Sequence, residues 1–272
     1  MSTSKIKNIV IAVLVFINVF FLSAVLVSRV GEASGRRRVI DDLRTVLENA
    51  GVALEDGAIA SLESLRPMST ERDAYGEAYL ARAVLGDCSP SQDGGANSVY
   101  TGERGTAEFN ARGEFRIELT EPYAARGGAR AEAKRLLREM GLDASDPALS
   151  VNGDTETASA VCEYKGAPTF NCVVSFEFEG GLLLRVTGRR PSGVKEAPPG
   201  TLRELPTALL EFLAFVRGGG IDCSRILSVE AGYRLTVSAF GDGTLSPGWL
   251  VTTDAGGFFI NSPTGEIVAD DA

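Results

Sequence analysis

One uncharged apolar stretch, Ile9–Val27, constrains this chain more than any other feature. Its nineteen residues contain no charged side chain, no glycine and no proline. A helix rises about 1.5 Å per residue, so this length just spans a bilayer core of roughly 30 Å. A cleaved signal would have a shorter apolar core, and a helix of a soluble protein would show a solvent-facing stripe. The sequence therefore predicts a transmembrane helix over 9–28, preceded by a tail over 1–8.

Asn18 lies near the middle of this predicted helix. An unsatisfied side-chain amide costs free energy in hydrocarbon, so Asn18 needs a hydrogen-bond partner. At helical spacing it shares a face with Ile11, Leu22 and Val25. We expect this face to contact a helix of another membrane protein. The alternative is that Asn18 bonds to its own backbone.

The flanks of the helix leave its orientation open. Lys5 and Lys7 precede it, whereas Arg29 and the run Arg36–Arg38 follow it, and this count leans toward a cytoplasmic C-terminus. Long domains can cross the membrane regardless of such charges. The four cysteines favour the opposite orientation, because disulfides persist in exported domains.

The portion after the anchor is acidic. It contains 36 acidic and 25 basic residues, a formal charge of −11, so no nucleic acid is expected as a partner. The chain has no histidine, which removes the usual general base, the Ser-His and Cys-His pairs and the commonest metal ligand. CxxC, GxSxG and Walker-type loops are also absent from the sequence. We therefore expect no catalytic residue, no cofactor and no metal, and a protein that is not an enzyme.

Cys162 and Cys172 lie in two strand-like runs, TASAVCEY and FNCVVSFEF, on either side of the turn-like KGAPT. If Tyr164 pairs with Phe170, Cys162 lies directly opposite Cys172. Opposed strand residues have Cβ atoms about 4.5 to 5.5 Å apart, so a disulfide is feasible with modest distortion. The alternative is a pair of buried thiols that face the core.

Apolar periodicity predicts helices at the start of the exported portion. VIDDLRTVLENAG shows the i, i+3, i+4, i+7 pattern of an amphipathic helix that Gly51 ends. DGAIASLESLR places Ile59, Leu62 and Leu65 on one face and predicts a second helix. A short helix at GEAYLARAVLG is followed by strands, and in EFRIEL the alternation of apolar and charged residues predicts a sheet with one solvated face.

Residues 129–268 show an internal duplication. The helical segments ARAEAKRLLREM and LRELPTALLEFLAFVRGG end at Gly141 and Gly220, and strand-like runs follow each of them. The copies close on Thr-Gly at Gly188 and Gly265, which gives glycine spacings of 47 and 45 residues. Each helix-ending glycine is expected to be left-handed. The helix at 39–50 suggests a third, more diverged relative, and chance similarity of short strings is the alternative.

The second copy closes with GWLVTTDAGGFFINSPTGEIV, which resembles a hairpin with a turn at Asp254–Gly257. Trp249 is expected to anchor the core or edge of this sheet, and a functional contact is the alternative.

SKIKNIVIAVLVFINVFFL and GWLVTTDAGGFFINSPTGEI resemble the two ends of the YycI and YycH regulators, which are accessory proteins of the WalK/WalR (YycG/YycF) two-component system. The C-terminal hairpin is also similar to PepSY-type domains. This resemblance implies a cytoplasmic N-terminus, one membrane crossing and an extracytoplasmic α+β domain. It also implies that the partners are a sensor histidine kinase and a YycH-type companion, with Asn18 and its helical face as the candidate contact.

The expected fold class is α+β, with a single transmembrane helix and repeated helix-plus-antiparallel-meander units. The boundaries are a tail over 1–8, the anchor over 9–28, a linker over 29–38, an N-terminal subdomain over 39–125 and repeats over 129–190 and 201–268.

The expected function is that of a membrane-anchored accessory regulator of a sensor histidine kinase in envelope homeostasis. The alternative is a PepSY-like binding module that inhibits an envelope hydrolase. An envelope hydrolase that itself uses two carboxylates is a third hypothesis, but carboxylates on strand and helix faces are ordinarily solvated surface groups.

Overall fold

The computed structural model describes residues 35, 37–61, 65–92, 97–198, 202–238 and 242–270. It divides into two compact units, Met1–Leu54 and Glu55–Ala272. In the first unit, helix α1 covers residues 37–49 and strand β1 covers Ala53–Leu54. Gly51 ends α1 with a φ of 86°, and the Val52 N–H donates to the Leu47 carbonyl at 3.0 Å. The prediction that Gly51 ends this helix is confirmed.

The second unit is a mixed α+β domain dominated by sheet. It opens with strand β2, Met68–Thr70. Three times in this unit, a helix is followed by four strands that pair antiparallel in consecutive order. The first set is α2 (Ala74–Leu85), β3 (Cys88–Gln92), β4 (Asn97–Gly102), β5 (Gly105–Asn110) and β6 (Glu114–Ala124). The second set is α3 (Ala129–Glu139), β7 (Ala148–Asn152), β8 (Thr155–Tyr164), β9 (Ala167–Glu179) and β10 (Leu182–Arg189). Strand β11 (Lys195–Glu196) follows, and the third set is α4 (Leu205–Arg217), β12 (Arg225–Val237), β13 (Gly243–Thr253), β14 (Gly256–Asn261) and β15 (Ile267–Asp270).

The sequence predicted a short helix and strands in the region of the first set, α2 to β6, but it did not indicate that they form a third helix-plus-meander. The helix suggested as its equivalent, α1, is followed in the described residues by the two-residue strand β1 and not by a meander. The helix-ending glycines that revealed the other two sets did not reveal this one, because α2 ends in a different backbone conformation. Gly86 caps it with φ 78° and ψ −143°, and only one capping bond forms, from the Gly86 N–H to the Arg82 carbonyl.

The second predicted helix, over DGAIASLESLR, is not formed in residues 56–61 and 65–66, the part of it that the structure describes. Ile59 instead forms a parallel bridge with Val229, and the Val229 N–H donates to the Ala58 carbonyl at 2.8 Å. The backbone groups that a helix would need are therefore used by the sheet, and this part of the prediction is wrong.

The three meanders join into one continuous sheet. Strand β10 pairs antiparallel with β6, which links the first two sets. Strand β9 is thirteen residues long, and it pairs with β10 along its second half and with β12 through the parallel bridge Thr169↔Tyr233. The side chain of Asn171 extends this joint, because it donates to the Leu235 carbonyl at 2.9 Å and accepts from the Leu235 N–H at 2.8 Å. The amide group thus pairs with Leu235 as a backbone peptide would.

The main core lies between helices α2 and α3 and one face of this sheet. Burial follows the alternation predicted for EFRIEL, since Phe115, Ile117 and Leu119 are buried whereas Arg116 and Glu118 are exposed. The prediction of one solvated face is confirmed. On that face Glu118 accepts from Arg116, and Arg185 forms ion pairs with Glu118 at 3.3 Å and with Glu177 at 3.1 Å.

Candidate functional site

The predicted transmembrane helix and its contact face, Ile11, Asn18, Leu22 and Val25, lie outside the residues that the structure describes. Among the described residues, every helix is too short or too polar to cross a membrane. Both the anchor and its contact face stay predictions.

Cys162 and Cys172 are buried free thiols in this structure. The hairpin turn is shorter than we expected, because Tyr164 pairs with Ala167 across the two residues Lys165 and Gly166. A bulge between Val161 and Glu163 then shifts the register, so Cys162 has no partner in β9. Its thiol donates to the Arg189 carbonyl at 3.6 Å. The structure therefore shows the alternative arrangement, two thiols that face the core.

Gly141 and the glycines after α4 end their helices in the same way, but at different positions. Gly141 has a φ of 67°, and the Leu142 N–H donates to the Leu137 carbonyl at 2.9 Å. After α4 the left-handed residue is Gly219, with a φ of 81°, one position before the predicted Gly220. Gly220 is needed for a different reason, because a Cβ there would lie 2.4 Å from the Phe215 ring.

Gly188 and Gly265 are not structurally equivalent. Gly265 has a φ of 77° in the turn between β14 and β15, whereas Gly188 lies inside strand β10 opposite Phe115. The Arg203 guanidinium covers Gly265, so closely that a Cβ there would lie 2.8 Å from it. Arg203 also donates to the Pro263 carbonyl at 2.8 Å and to Glu211 of α4 at 2.9 Å. The second and third sets therefore share their order of elements but do not share a Thr-Gly turn.

Trp249 is 1% exposed in strand β13, between Ala231 of β12 and Ile260 of β14. Its indole Nε1 has no hydrogen-bond partner in the part of the chain that the structure describes. This placement is that of a core residue.

Strand β7 is an accessible edge of the sheet. It pairs only with β8, and all five of its residues are exposed. Leu149 and Val151 are 46% and 61% exposed, so this strand presents two apolar side chains to solvent. They lie on the face of the sheet that α3 covers, because Leu149 pairs with the buried Ala158. The edge therefore combines unpaired backbone groups with two apolar side chains.

Features that usually protect edge strands are missing from β7. Its sequence, ALSVN, contains no charge and no proline, and its pairing with β8 shows no bulge. The opposite end of the sheet differs, since β3 contains Pro90 and a register shift next to it. Glu156 pairs with Val151, and Asp154 lies in the following turn. A ligand strand with apolar residues and a nearby basic residue would complement this edge.

The sequence predicted strand-like runs after α3 but did not identify any of them as an edge strand. The alternation of Leu149 and Val151 with small polar residues was the available signal. Pairing partners cannot be derived from that pattern, so only the folded structure shows that this strand is exposed. No group of three or more Cys, Asp or Glu suited to a metal ion occurs in the described residues.

No known protein family matches the sequence, and no curated protein matches it. Among solved structures, the chain is similar to an uncharacterized protein from Eubacterium rectale, with a TM-score of 0.48 and 9% identity over 80% of this chain and 89% of that one. It is also similar to the Bacillus megaterium YpeB C-terminal domain, with a TM-score of 0.37 and 11% identity over 75% of this chain and 100% of that one. Likenesses at these TM-scores do not assign a family.

Proposed function

We propose that this chain is a non-catalytic accessory protein, anchored in the membrane by Ile9–Val27, that binds a partner protein and regulates it. The observation that supports binding is the exposed, unprotected edge of β7. Its occupant is an extended segment of the partner, which adds a strand next to Ala148–Asn152. Backbone hydrogen bonds would provide affinity, and contacts to Leu149 and Val151 would provide specificity.

A sensor histidine kinase is the partner that the resemblance to the YycI and YycH regulators favours. In this form of the proposal the N-terminus is cytoplasmic, the second unit is extracytoplasmic, and Asn18 contacts a kinase helix. Regulation requires that the chain bind two states of the kinase with different affinities. An envelope hydrolase, held by β7 alone, is the second candidate, because the β7 edge does not depend on the anchor.

The test is a pull-down of the full-length chain from membranes in mild detergent, with mass spectrometry of the retained proteins. Four variants separate the contacts: Asn18→Leu, a chimera with an unrelated anchor, the double change Leu149→Lys and Val151→Lys, and Leu227→Lys. Leu227 is the matched control, since it is an apolar strand residue of β12 with 42% exposure.

We expect the wild type and Leu227→Lys to retain the partner. The double β7 variant should bind the partner at least about tenfold more weakly, which corresponds to about 1.4 kcal/mol. Loss of a kinase in the chimera and in Asn18→Leu would support the helix contact. Retention of a hydrolase by the chimera would support the second candidate. Equal retention by the β7 variant and the wild type would exclude β7 as the binding edge.

A further inference from the structure

The end of β7 that begins at Ala148 is positively charged. Asp146, just before this end, forms ion pairs with Arg130 at 2.9 Å and with Lys134. Both cations belong to α3, and all three charged side chains are more than half exposed. Two cations and one anion leave a net charge of +1. This end of the free edge therefore presents positive charge to solvent.

The end of β7 that closes at Asn152 is negatively charged. Asp154 is exposed in the turn that follows, and Glu156 of β8 lies directly opposite Val151. Neither carboxylate forms an ion pair with a residue that the structure describes, and both side chains are ionised at neutral pH. The two ends of the same short edge thus carry opposite charges.

An edge with this polarity is complementary to a second copy of itself. A twofold axis perpendicular to the sheet relates two β7 strands as antiparallel neighbours, so the Ala148 end of one copy lies beside the Asn152 end of the other. The positive end of each copy then meets the negative end of the other. The same rotation keeps α3 of both copies on one face of the joined sheet.

The length of β7 and the faces of its side chains determine the register of this pairing. All five residues of the strand have a partner only when Ser150 lies opposite Ser150 of the second copy. Leu149 of one copy then lies opposite Val151 of the other, on the face where both side chains are exposed. A slip of one residue would turn these side chains to opposite faces of the joined sheet.

We propose that a second copy of this chain covers β7 through this antiparallel pairing when no partner strand is bound. Unprotected edge strands pair readily with other strands, and β7 has neither a charge, a proline nor a bulge to prevent it. The pairing satisfies the free backbone groups, covers Leu149 and Val151 and joins the opposite charges. Five residues a side are fewer than the about 20 to 30 of a stable complex, so this dimer is weak.

Self-pairing also regulates the edge, and this step rests on the proposed function. One side of β7 pairs with β8, so a single edge remains for either a second copy or a partner strand. The two occupants therefore exclude each other. The apparent affinity for the partner falls as the concentration of the chain rises, because a smaller fraction of the chain has a free edge.

The test is disulfide trapping of the full-length chain in mild detergent. Cys88→Ser is the background, because the other three cysteines are buried. Ser150→Cys should form a linked dimer under mild oxidation, since opposed residues of antiparallel strands have Cα atoms about 4.5 to 5.5 Å apart. Asn152→Cys is the matched control in the same exposed strand. Its Cα atoms in the two copies would lie about 14 Å apart, so we expect at least about tenfold less linked dimer.

The register is tested by a mixture of two variants. Ala148→Cys and Asn152→Cys should not form a linked dimer alone, but their mixture should, because residue 148 of one copy lies opposite residue 152 of the other. Such a link between two different positions is specific to the antiparallel pairing centred on Ser150.

Charge reversal tests the complementarity of the two ends. The changes Asp154→Lys and Glu156→Lys, added to Ser150→Cys, should lower the yield of linked dimer at least about fivefold, because the ends then repel each other. Glu121→Lys is the matched control, since Glu121 is an exposed acidic residue of β6, away from this edge, and its reversal should leave the yield unchanged.

Equal linking of Ser150→Cys and Asn152→Cys would overturn the proposal, because association through the anchor or by random collision has no β7 register. A yield that the reversal of Asp154 and Glu156 leaves unchanged would also overturn it. These measurements use the chain alone. Failure of the trapping would leave the pull-down of a partner valid, and failure to retain a partner would leave the self-pairing valid.

Discussion

Trp249 has an indole N–H that is buried without an acceptor among the described residues. Its apolar surface should therefore provide most of its contribution to stability, and its N–H should oppose folding. We expect Trp249→Ala to lower the free energy of unfolding by about 3 to 5 kcal/mol. Trp249→Phe should lower it by less than about 2 kcal/mol, because it also removes the unpaired N–H. Urea titrations measure both, and equal losses would indicate that the N–H has a partner.

Cys162 and Cys172 should be unreactive in the folded protein. Burial raises the pKa of Cys162 to about 12 and raises the pKa of Cys172 as well, and the thiolate is the form that alkylates. Cys88 is only partly buried, so it should react first with iodoacetamide at neutral pH. Mass spectrometry before and after unfolding measures the order. A disulfide-linked peptide that contains Cys162 and Cys172, found without reductant, would instead support the predicted Cys162–Cys172 disulfide, which stays a prediction.

Glu132 gives the stability of α3 a dependence on pH. Its side chain is fully buried, and it accepts from Arg135 at 2.6 Å and 3.1 Å and from the Arg126 N–H at 3.1 Å. Burial acts to raise the pKa of Glu132, but these donors outweigh it and the pKa is lowered. A lowered pKa means that the stabilisation is complete above the unfolded value of about 4.3 and is lost as the pH falls through the folded value.

Glu132→Gln should therefore destabilise the protein at pH 7 by about 2 to 4 kcal/mol and should reduce the acid-induced loss of stability below about pH 4. Urea titrations across this range measure the effect. Glu118→Gln is the control, since Glu118 is an exposed acceptor of two arginines and its replacement should change stability little. Identical acid profiles of the wild type and Glu132→Gln would contradict this explanation.

At the scale of elements, the helix-plus-meander repeat depends on joints between strands as well as on helix ends. Strand β9 bulges just where it leaves β8 and meets β12, and Asn171 lies in that extra segment. Its side chain forms two hydrogen bonds to Leu235, so it should hold the last meander to the rest of the sheet.

Asn171→Ala should lower the free energy of unfolding by about 2 to 3 kcal/mol, because it leaves both the N–H and the carbonyl of Leu235 unpaired. Hydrogen exchange at the Leu235 amide should accelerate more than exchange elsewhere in β12. Asn152→Ala, in the exposed strand β7, is the matched control and should change neither quantity. Unchanged exchange at Leu235 would mean that the joint is held by other contacts.

At the scale of the whole second unit, the last meander contributes buried residues to the core of the first two. Tyr233, Leu235 and Leu245 of the last meander belong to the same buried cluster as the residues of α2 and α3. Elements that share a core cannot open separately without exposing its apolar surface. This arrangement predicts that Glu55–Ala272 behaves as one cooperative body.

The single tryptophan makes this prediction testable in the full-length chain. Trp249 fluorescence reports on the last meander, whereas far-UV circular dichroism reports on all three. We expect the two signals to show the same urea midpoint. A lower midpoint for fluorescence would show that the last meander unfolds first and that the shared core contributes little to cooperativity.

The sequence by itself determined the local features of this protein. The apolar periodicity of α1, the glycine that ends it and the alternation in β6 each depend on neighbours within a few residues, so their patterns could be interpreted directly. It also indicated that strands follow each of the helices α3 and α4. Only the tertiary structure decided the bulge that displaces Cys162, the pairing of Ile59 with Val229 and the exposure of β7. These features depend on which distant strands become neighbours, and a one-dimensional pattern carries no information about that choice.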